Sequence, residues 1–206
     1  MKSKHYNTRY GFFVGSKKGY TGFRNRLRVK KFTKLIDPHK EEKILEIGCN
    51  TGILLSNLSR FSDKVYGIDV NKQVIEKINS KKVQVMSATK LKFADNYFDK
   101  ICAFEVIEHI AEFDQAFRQI YRVLKTSGTF YISFPVEIIR GQSALLDAIV
   151  AHKNPFFARK LHVHKLNPTK IKKIIKDIPF KIIQSKIIFI PMPSFFMVLQ
   201  KQNRRI

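Results

Sequence analysis

The sequence predicts an α/β fold: a doubly wound, mostly parallel sheet with helices on both faces. Short apolar runs of strand length alternate with segments of helical periodicity from residue 43 onward. The first run breaks into a turn with glycines four apart, Gly48 and Gly52, and the second ends on a single aspartate, Asp69. Strands separated by helices need crossover connections, and crossovers of this length place successive strands parallel.

Residues 1–22 read as an arm rich in Tyr, Phe and Gly, without clear periodicity. Over 23–36, Phe23, Leu27, Phe32, Leu35 and Ile36 roughly fit one apolar stripe of a helix, which Asp37-Pro38 then ends. Strands are expected at 43–48, 64–69, 83–87, 99–104 and 129–134, with helices at 52–60, 71–79 and 112–124. Residues 137–164 depart from the alternation with an apolar helix pattern (Ile138, Ile139, Leu145, Leu146, Ile149, Val150) that leads into Asn154-Pro155-Phe156-Phe157. A lysine-rich helix follows at 168–177, with Asn167 as its cap and Pro168 as its first residue. Two strand-like runs, 180–190 and 195–200, close the chain on either side of Pro191-Met192-Pro193.

At 206 residues and 24.1 kDa the chain fits one domain, 1–206, with a core large enough to fold alone. Apolar residues at 44% and charged residues at 27% exclude a disordered chain. No apolar run approaches the roughly 20 residues of a membrane span, and the N-terminus lacks a signal peptide's apolar core, so the expected location is the cytoplasm. The two cysteines, Cys49 and Cys102, fall at or inside expected buried strands and read as small buried residues; no metal-ligand spacing stands out. The balance of 39 Lys plus Arg against 16 Asp plus Glu, net +23, suggests a polyanionic partner: nucleic acid, an anionic membrane surface or a phosphorylated substrate. Lysine spread over almost every element also fits a compositional bias. Residues 1–36 are less easily explained that way, because Lys17, Lys18, Arg24, Arg26, Arg28, Lys30, Lys31 and Lys34 are accompanied by no acidic residue.

The glycine turn makes a physical demand. Gly48 lets the backbone approach a ligand closely, and Gly52 lets the next helix start near the strand. Asp69 stands at the tip of the neighbouring strand, where a carboxylate accepts both hydroxyls of a ribose. A dinucleotide site needs Gly-x-Gly-x-x-Gly to seat a pyrophosphate, and Gly48-Cys49-Asn50-Thr51-Gly52 lacks the middle glycine, which disfavours hydride transfer. Asn50 tolerates left-handed backbone angles, so the turn itself survives.

These residues resemble the class I S-adenosylmethionine-dependent methyltransferases, in particular the small-molecule and lipid methyltransferases, over about 23–134 and more weakly to 175. Glu46-Ile47-Gly48-Cys49-Asn50-Thr51-Gly52 resembles the family's first motif, Asp69 its ribose-binding acid, and Asp95-Asn96-Tyr97-Phe98-Asp99 the turn before its fourth strand. Phe104-Glu105-Val106-Ile107-Glu108-His109 resembles the segment that closes the site, and Val123 to Thr129 its helix-to-strand turn, with Gly128 as the expected helix stop. The resemblance implies a Rossmann-like seven-stranded sheet with an antiparallel strand near the C-terminus. It implies S-adenosyl-L-methionine as cofactor, held by Glu46, Gly48, Cys49, Asn50, Gly52, Asp69, Val70, Ala88, Thr89, Phe104 and Glu105. Where the family has an acid facing the adenine, this chain reads Ser87-Ala88-Thr89.

A sulfonium methyl is already activated, so alignment of the acceptor and exclusion of water supply much of the rate, and a base serves acceptors that must lose a proton. Candidates are Glu108, His109, His162 and His164; the His162-Val163-His164 pair falls where the family places its acceptor lid. The apolar insertion at 137–160, ending on Phe156, Phe157, Arg159 and Lys160, together with the basic arm, suits a small-molecule or lipid-linked acceptor at an anionic membrane surface. Nucleic-acid methylation is an alternative, with the arm on phosphates. It lacks the Asn/Asp-Pro-Pro-Tyr/Phe motif of base amino-group methylation. A non-catalytic protein that keeps the cofactor fold is a further alternative, which the intact Gly48, Gly52 and Asp69 oppose.

Overall fold

Side chains that alternate along the strands divide the apolar residues into two cores, one on each face of a single sheet. The structure is a computed structural model that describes residues 19–136, 164–189 and 193–203. The basic arm before residue 19, the insertion at 137–160 with Phe156, Phe157, Arg159 and Lys160, and His162 all lie outside the described residues. Seven strands, β1 (Ile44–Ile47), β2 (Val65–Asp69), β3 (Val83–Val85), β4 (Phe98–Phe104), β5 (Leu124–Pro135), β6 (Phe180–Phe189) and β7 (Pro193–Lys201), form one sheet in the order β3-β2-β1-β4-β5-β7-β6. β1 to β5 pair in parallel, and β7 runs antiparallel to both β5 and β6. Strand order reverses between β1 and β4, and the crevice beyond the carboxyl ends at such a reversal is where ligands bind.

Among the described residues, five α-helices cover the sheet: α1 (Gly19–Ile36), α2 (Ile53–Leu58), α3 (Lys72–Ile75), α4 (Phe113–Val123) and α5 (Pro168–Ile174). Leu45, Ile47, Ile68, Ile101, Phe130, Ile132 and Leu199 face α4 and α5, where Phe117, Ile120 and Ile171 meet them. Ile44, Val65, Cys102, Tyr131 and Phe196 face the other way, toward Phe32 and Ile36 of α1 and Leu54, Leu55 and Leu58 of α2. Phe117 is completely buried among Phe130 and Phe180, and its truncation to Ala would remove about 3–5 kcal/mol.

Three sequence expectations are corrected and a fourth, the helix at 52–60, is found with shorter bounds. The helix expected over 71–79 is one α-helical turn, because the hydrogen bonds after it, Lys77 N to Val74 O and Ile78 N to Ile75 O, tighten to a three-residue spacing. The helix expected over 52–60 is α2, with Gly52 as a left-handed N-cap. Gly128 does not stop a helix: α4 ends at Val123, Leu124 is already extended, and the left-handed residue of the turn is Ser127 at φ 62°. Glycine is needed at 128 for space, since a Cβ there would meet the carbonyl oxygens of Lys125 at 2.8 Å and Asp99 at 3.0 Å. Finally, the apolar stripe of α1 is split. Phe32 and Ile36 are buried, whereas Phe23 and Leu27 stand out into solvent at 52% and 42% exposure.

Candidate active site

At the end of β1 the chain turns sharply. The amides of Gly48 and Cys49 both donate to the carbonyl of Ile68, at 2.8 and 3.0 Å, which ties the turn to β2. Gly48, Asn50 and Gly52 take φ values of 72°, 45° and 73°, so the left-handed tolerance expected of Asn50 is used. A Cβ on Gly48 would lie 2.4 Å from Cγ2 of Val106, so the glycine also admits the loop after β4.

Asp69, 6% exposed, joins two loops with one carboxylate. Its Oδ2 accepts the amide of Asn50 at 3.0 Å and its Oδ1 that of Asn71 at 2.9 Å. Burial pushes its pKa up, against the pull of the amides of Asn71, Asn50 and Val70. Val70, next along, is exposed, and the amide of Met86 donates to the carbonyl of Asp69, which brings the 87–89 turn alongside. In that turn the hydroxyls of Ser87 and Thr89 bond at 2.8 Å and Ser87 Oγ accepts the amide of Thr89, while Ala88 is buried.

Glu46 lies on β1 in register with Gly67 and Cys102, on the face that α1 and α2 cover. It is 8% exposed, and its Oε2 has no hydrogen-bond partner. Burial pushes its pKa from 4.5 to about 8, against the backbone of Leu55 and aided by the charge of Asp69. The thiols of Cys49 and Cys102 are free and buried, and burial pushes both pKa values up, so neither has thiolate character.

Beyond β4, Glu105 adopts φ 59°, donates its amide to Ser133 O and accepts the Ser133 hydroxyl at 3.2 Å. Phe104 before it lies flat against Phe32 of α1, ring centroids 3.7 Å apart and 5° from parallel. Ile107 to His109 form a single 3-10 turn. Glu108 is 1% exposed and His109 half-buried. His164 donates its amide to Glu108 O, sets its ring edge-on to Phe113, and bonds Ala111 O through Nε2 at 3.1 Å. A carbonyl only accepts, so Nε2 carries the proton.

The structure thus brings Glu46, the 48–52 turn, Asp69 and the 104–109 segment to one end of the sheet. Sequence reasoning missed Gly67, where a Cβ would lie 2.3 Å from Leu55 Cδ1, and Asn71, whose amide completes the Asp69 clamp. A glycine inside an apolar strand run was the available signal for the first. The contacts of Phe32 with Phe104 and of Val106 with Gly48 left no signal, because the partners are distant in the chain.

Residues 45–132 match the family model for the methyltransferase domain. With this strand order and this turn, they form a domain of the class I S-adenosylmethionine-dependent methyltransferase type, whose cofactor is S-adenosylmethionine. Among curated relatives, the chain is 32% identical over 103 residues to the ubiquinone biosynthesis O-methyltransferase of Pelagibacter ubique, covering 47% of this chain and 43% of that one. It is 30% identical over 102 residues to a sterol 24-C-methyltransferase of Neurospora crassa, covering 44% of this chain and 27% of that one. The chain thus spans less than half the length of these relatives. The fold is shared with a SAM-dependent methyltransferase from Aquifex aeolicus, at a TM-score of 0.68 and 17% identity over 93% of this chain and 98% of that one.

Proposed function

We propose that this protein transfers the methyl group of S-adenosylmethionine to a small-molecule or lipid-linked acceptor, in peripheral contact with an anionic membrane surface. The observation that carries the donor half is Glu46: a buried carboxyl oxygen without a partner, beside a turn whose glycine admits no side chain. A buried polar atom left unpaired costs about 1–3 kcal/mol unless a ligand satisfies it. The amino group at the methionine end of the cofactor would supply that partner. The second lone pairs on Asp69's two oxygens would receive the ribose hydroxyls, while the backbone of Gly48, Cys49, Asn50 and Gly52 approaches closely. Val70, Ala88 and Thr89 would flank the adenine, and Phe104 and Glu105 would close the far side.

The bound cofactor supplies a methyl group already activated on a sulfonium. The chain's own work is to hold the acceptor in line and keep water out. Among the described candidates, Glu108 is sealed in protein and His164 bonds Ala111, and half-buried His109 at the end of the 3-10 turn is the candidate we favour for taking a proton from the acceptor. The acceptor class is supported by the names of the two curated relatives, which concern ubiquinone biosynthesis and a sterol. Among the described residues no helix is long and apolar enough to cross a membrane, and the contact proposed is with its surface.

Methyl-labelled donor incubated with fractionated extract tests the reading. Label is expected in the lipid or small-molecule fraction. Label confined to RNA or protein would overturn the acceptor assignment, and failure to bind the donor would overturn the whole.

A further inference from the structure

α1 runs antiparallel to β4. The carbonyl of Asp37, just past its C-terminus, accepts from Lys100 near the start of β4, and Phe32 stacks on Phe104, the last residue of that strand. The carboxyl ends of the strands are therefore level with Phe32, and the part of α1 that precedes it projects past the sheet on the crevice side. At 1.5 Å per residue, Phe23 stands roughly 13 Å beyond Phe32 along the helix axis. Phe23 and Leu27, one turn apart, are both exposed on this projecting part.

Basic residues accompany them. Arg26, Lys30 and Lys34 of α1 and Arg60 after α2 line an open groove of about 710 Å3 that also takes in exposed Phe61 and, as its acidic lining residue, Asp37. Asn57 Nδ2 donates to Thr33 Oγ1 at 2.7 Å and joins the two helices here. Cations alone would suit any polyanion. Cations beside a protruding phenylalanine and leucine at helical spacing suit a surface that is anionic outside and apolar a few ångströms in, which describes a phospholipid bilayer. Nucleic acid would use the cations and the aromatic rings, but offers Leu27 nothing to be buried in.

We propose that the outward face of α1, with Phe23 and Leu27 inserted and Arg26, Lys30, Lys34 and Arg60 on the phosphates, docks this protein on an anionic bilayer. Because Phe23 and Leu27 project on the crevice side, such docking would hold the crevice mouth beside the bilayer, within reach of a lipid-linked acceptor. To that extent it rests on the function proposed above; the docking itself does not.

The test is co-sedimentation of the full chain with phosphatidylcholine vesicles with and without phosphatidylglycerol, beside a single-stranded RNA gel shift and donor calorimetry on the same samples. The wild-type chain is expected on the anionic vesicles. Phe23→Ser/Leu27→Ser and Lys30→Glu/Lys34→Glu are each expected to weaken that binding by about tenfold or more. Both pairs are exposed, so unchanged melting and donor binding would show that the fold is intact. The proposal is overturned by absence from anionic vesicles, by vesicle binding that neither double variant weakens, or by RNA binding that those variants abolish while vesicles stay unbound. Vesicle binding without donor binding would support the docking and remove the methyl transfer proposed above; donor binding without vesicle binding would overturn the docking and the membrane contact and leave the methyl transfer standing.

Discussion

Asp69 and Asn50 are joined by a 3.0 Å hydrogen bond from the Asn50 amide to Oδ2, so the residue proposed to hold the ribose also fixes the 48–52 turn. Asp69→Ala removes the acceptor for Asn50 and Asn71 together. It is expected to lower stability by about 1–3 kcal/mol, read as a urea midpoint, and to weaken donor binding at least tenfold by calorimetry. Asp69→Asn keeps one carbonyl oxygen and should lie between. A folded Asp69→Ala protein with wild-type donor affinity would sink the ribose assignment.

Gly48→Ala meets two obstacles, a φ of 72° and Val106 Cγ2 at 2.4 Å. Thermal melting should show a loss of about 1–3 kcal/mol, with donor binding lost in parallel. Adding Val106→Ala relieves the contact but not the backbone angle, so the double variant should recover part of the stability. Full recovery would mean that the angle is unimportant.

For Glu46 the pH dependence has a definite sign. Below about pH 4.5 folded and unfolded chains both hold the proton; between there and about 8 the unfolded chain releases it while the folded chain keeps it, so stability falls as pH rises. Above that the effect levels off. Asp69, also raised by burial, slopes the same way from a lower starting point. Glu46→Gln should melt at a higher temperature than wild type near pH 8 and show a flatter profile between pH 5 and 8, by an amount of the order of a few kcal/mol. A cationic partner ionises Glu46, so donor binding at pH 7 should release a proton, measured as a dependence of calorimetric heat on buffer ionisation enthalpy. The Gln variant should lose that dependence.

His164 anchors the segment after the insertion to Ala111 and Phe113. His164→Asn is expected to cost about 1 kcal/mol of stability and to leave the shape of the pH–rate profile unchanged. His109→Ala should remove a limb of that profile if the acceptor must be deprotonated. An altered profile in the His164 variant would reassign the proton transfer.

The alternating elements, the left-handed Asn50 and the strand-end Asp69 were legible because each leaves a local mark, while the antiparallel strand near the C-terminus came from the family resemblance. Period 2 or 3.6, a residue that tolerates positive φ, and an acid at the end of an apolar run need only a few neighbours to be recognised. Boundaries were less legible. The 71–79 helix and the role of Gly128 failed because hydrogen-bond tightening after Ile75 and the crowding carbonyl of Asp99 depend on atoms outside the local window.

The sequence by itself determined the parallel sheet and a nucleotide-type crevice at its strand ends, which follow from periodicity and from residue types at fixed spacing, and its resemblance to class I methyltransferases implied the cofactor. Only the tertiary structure decided that burial raises the pKa of Glu46 and leaves one of its oxygens unpartnered, and that Val106 leaves Gly48 no room for a side chain. It also decided that Phe32 goes inward onto Phe104 while Phe23 and Leu27, on the same expected stripe, face outward. The reason is one of range. Backbone preference is set within a turn or two, whereas burial, protonation and exposure are set by whichever distant strand or helix packs against the residue.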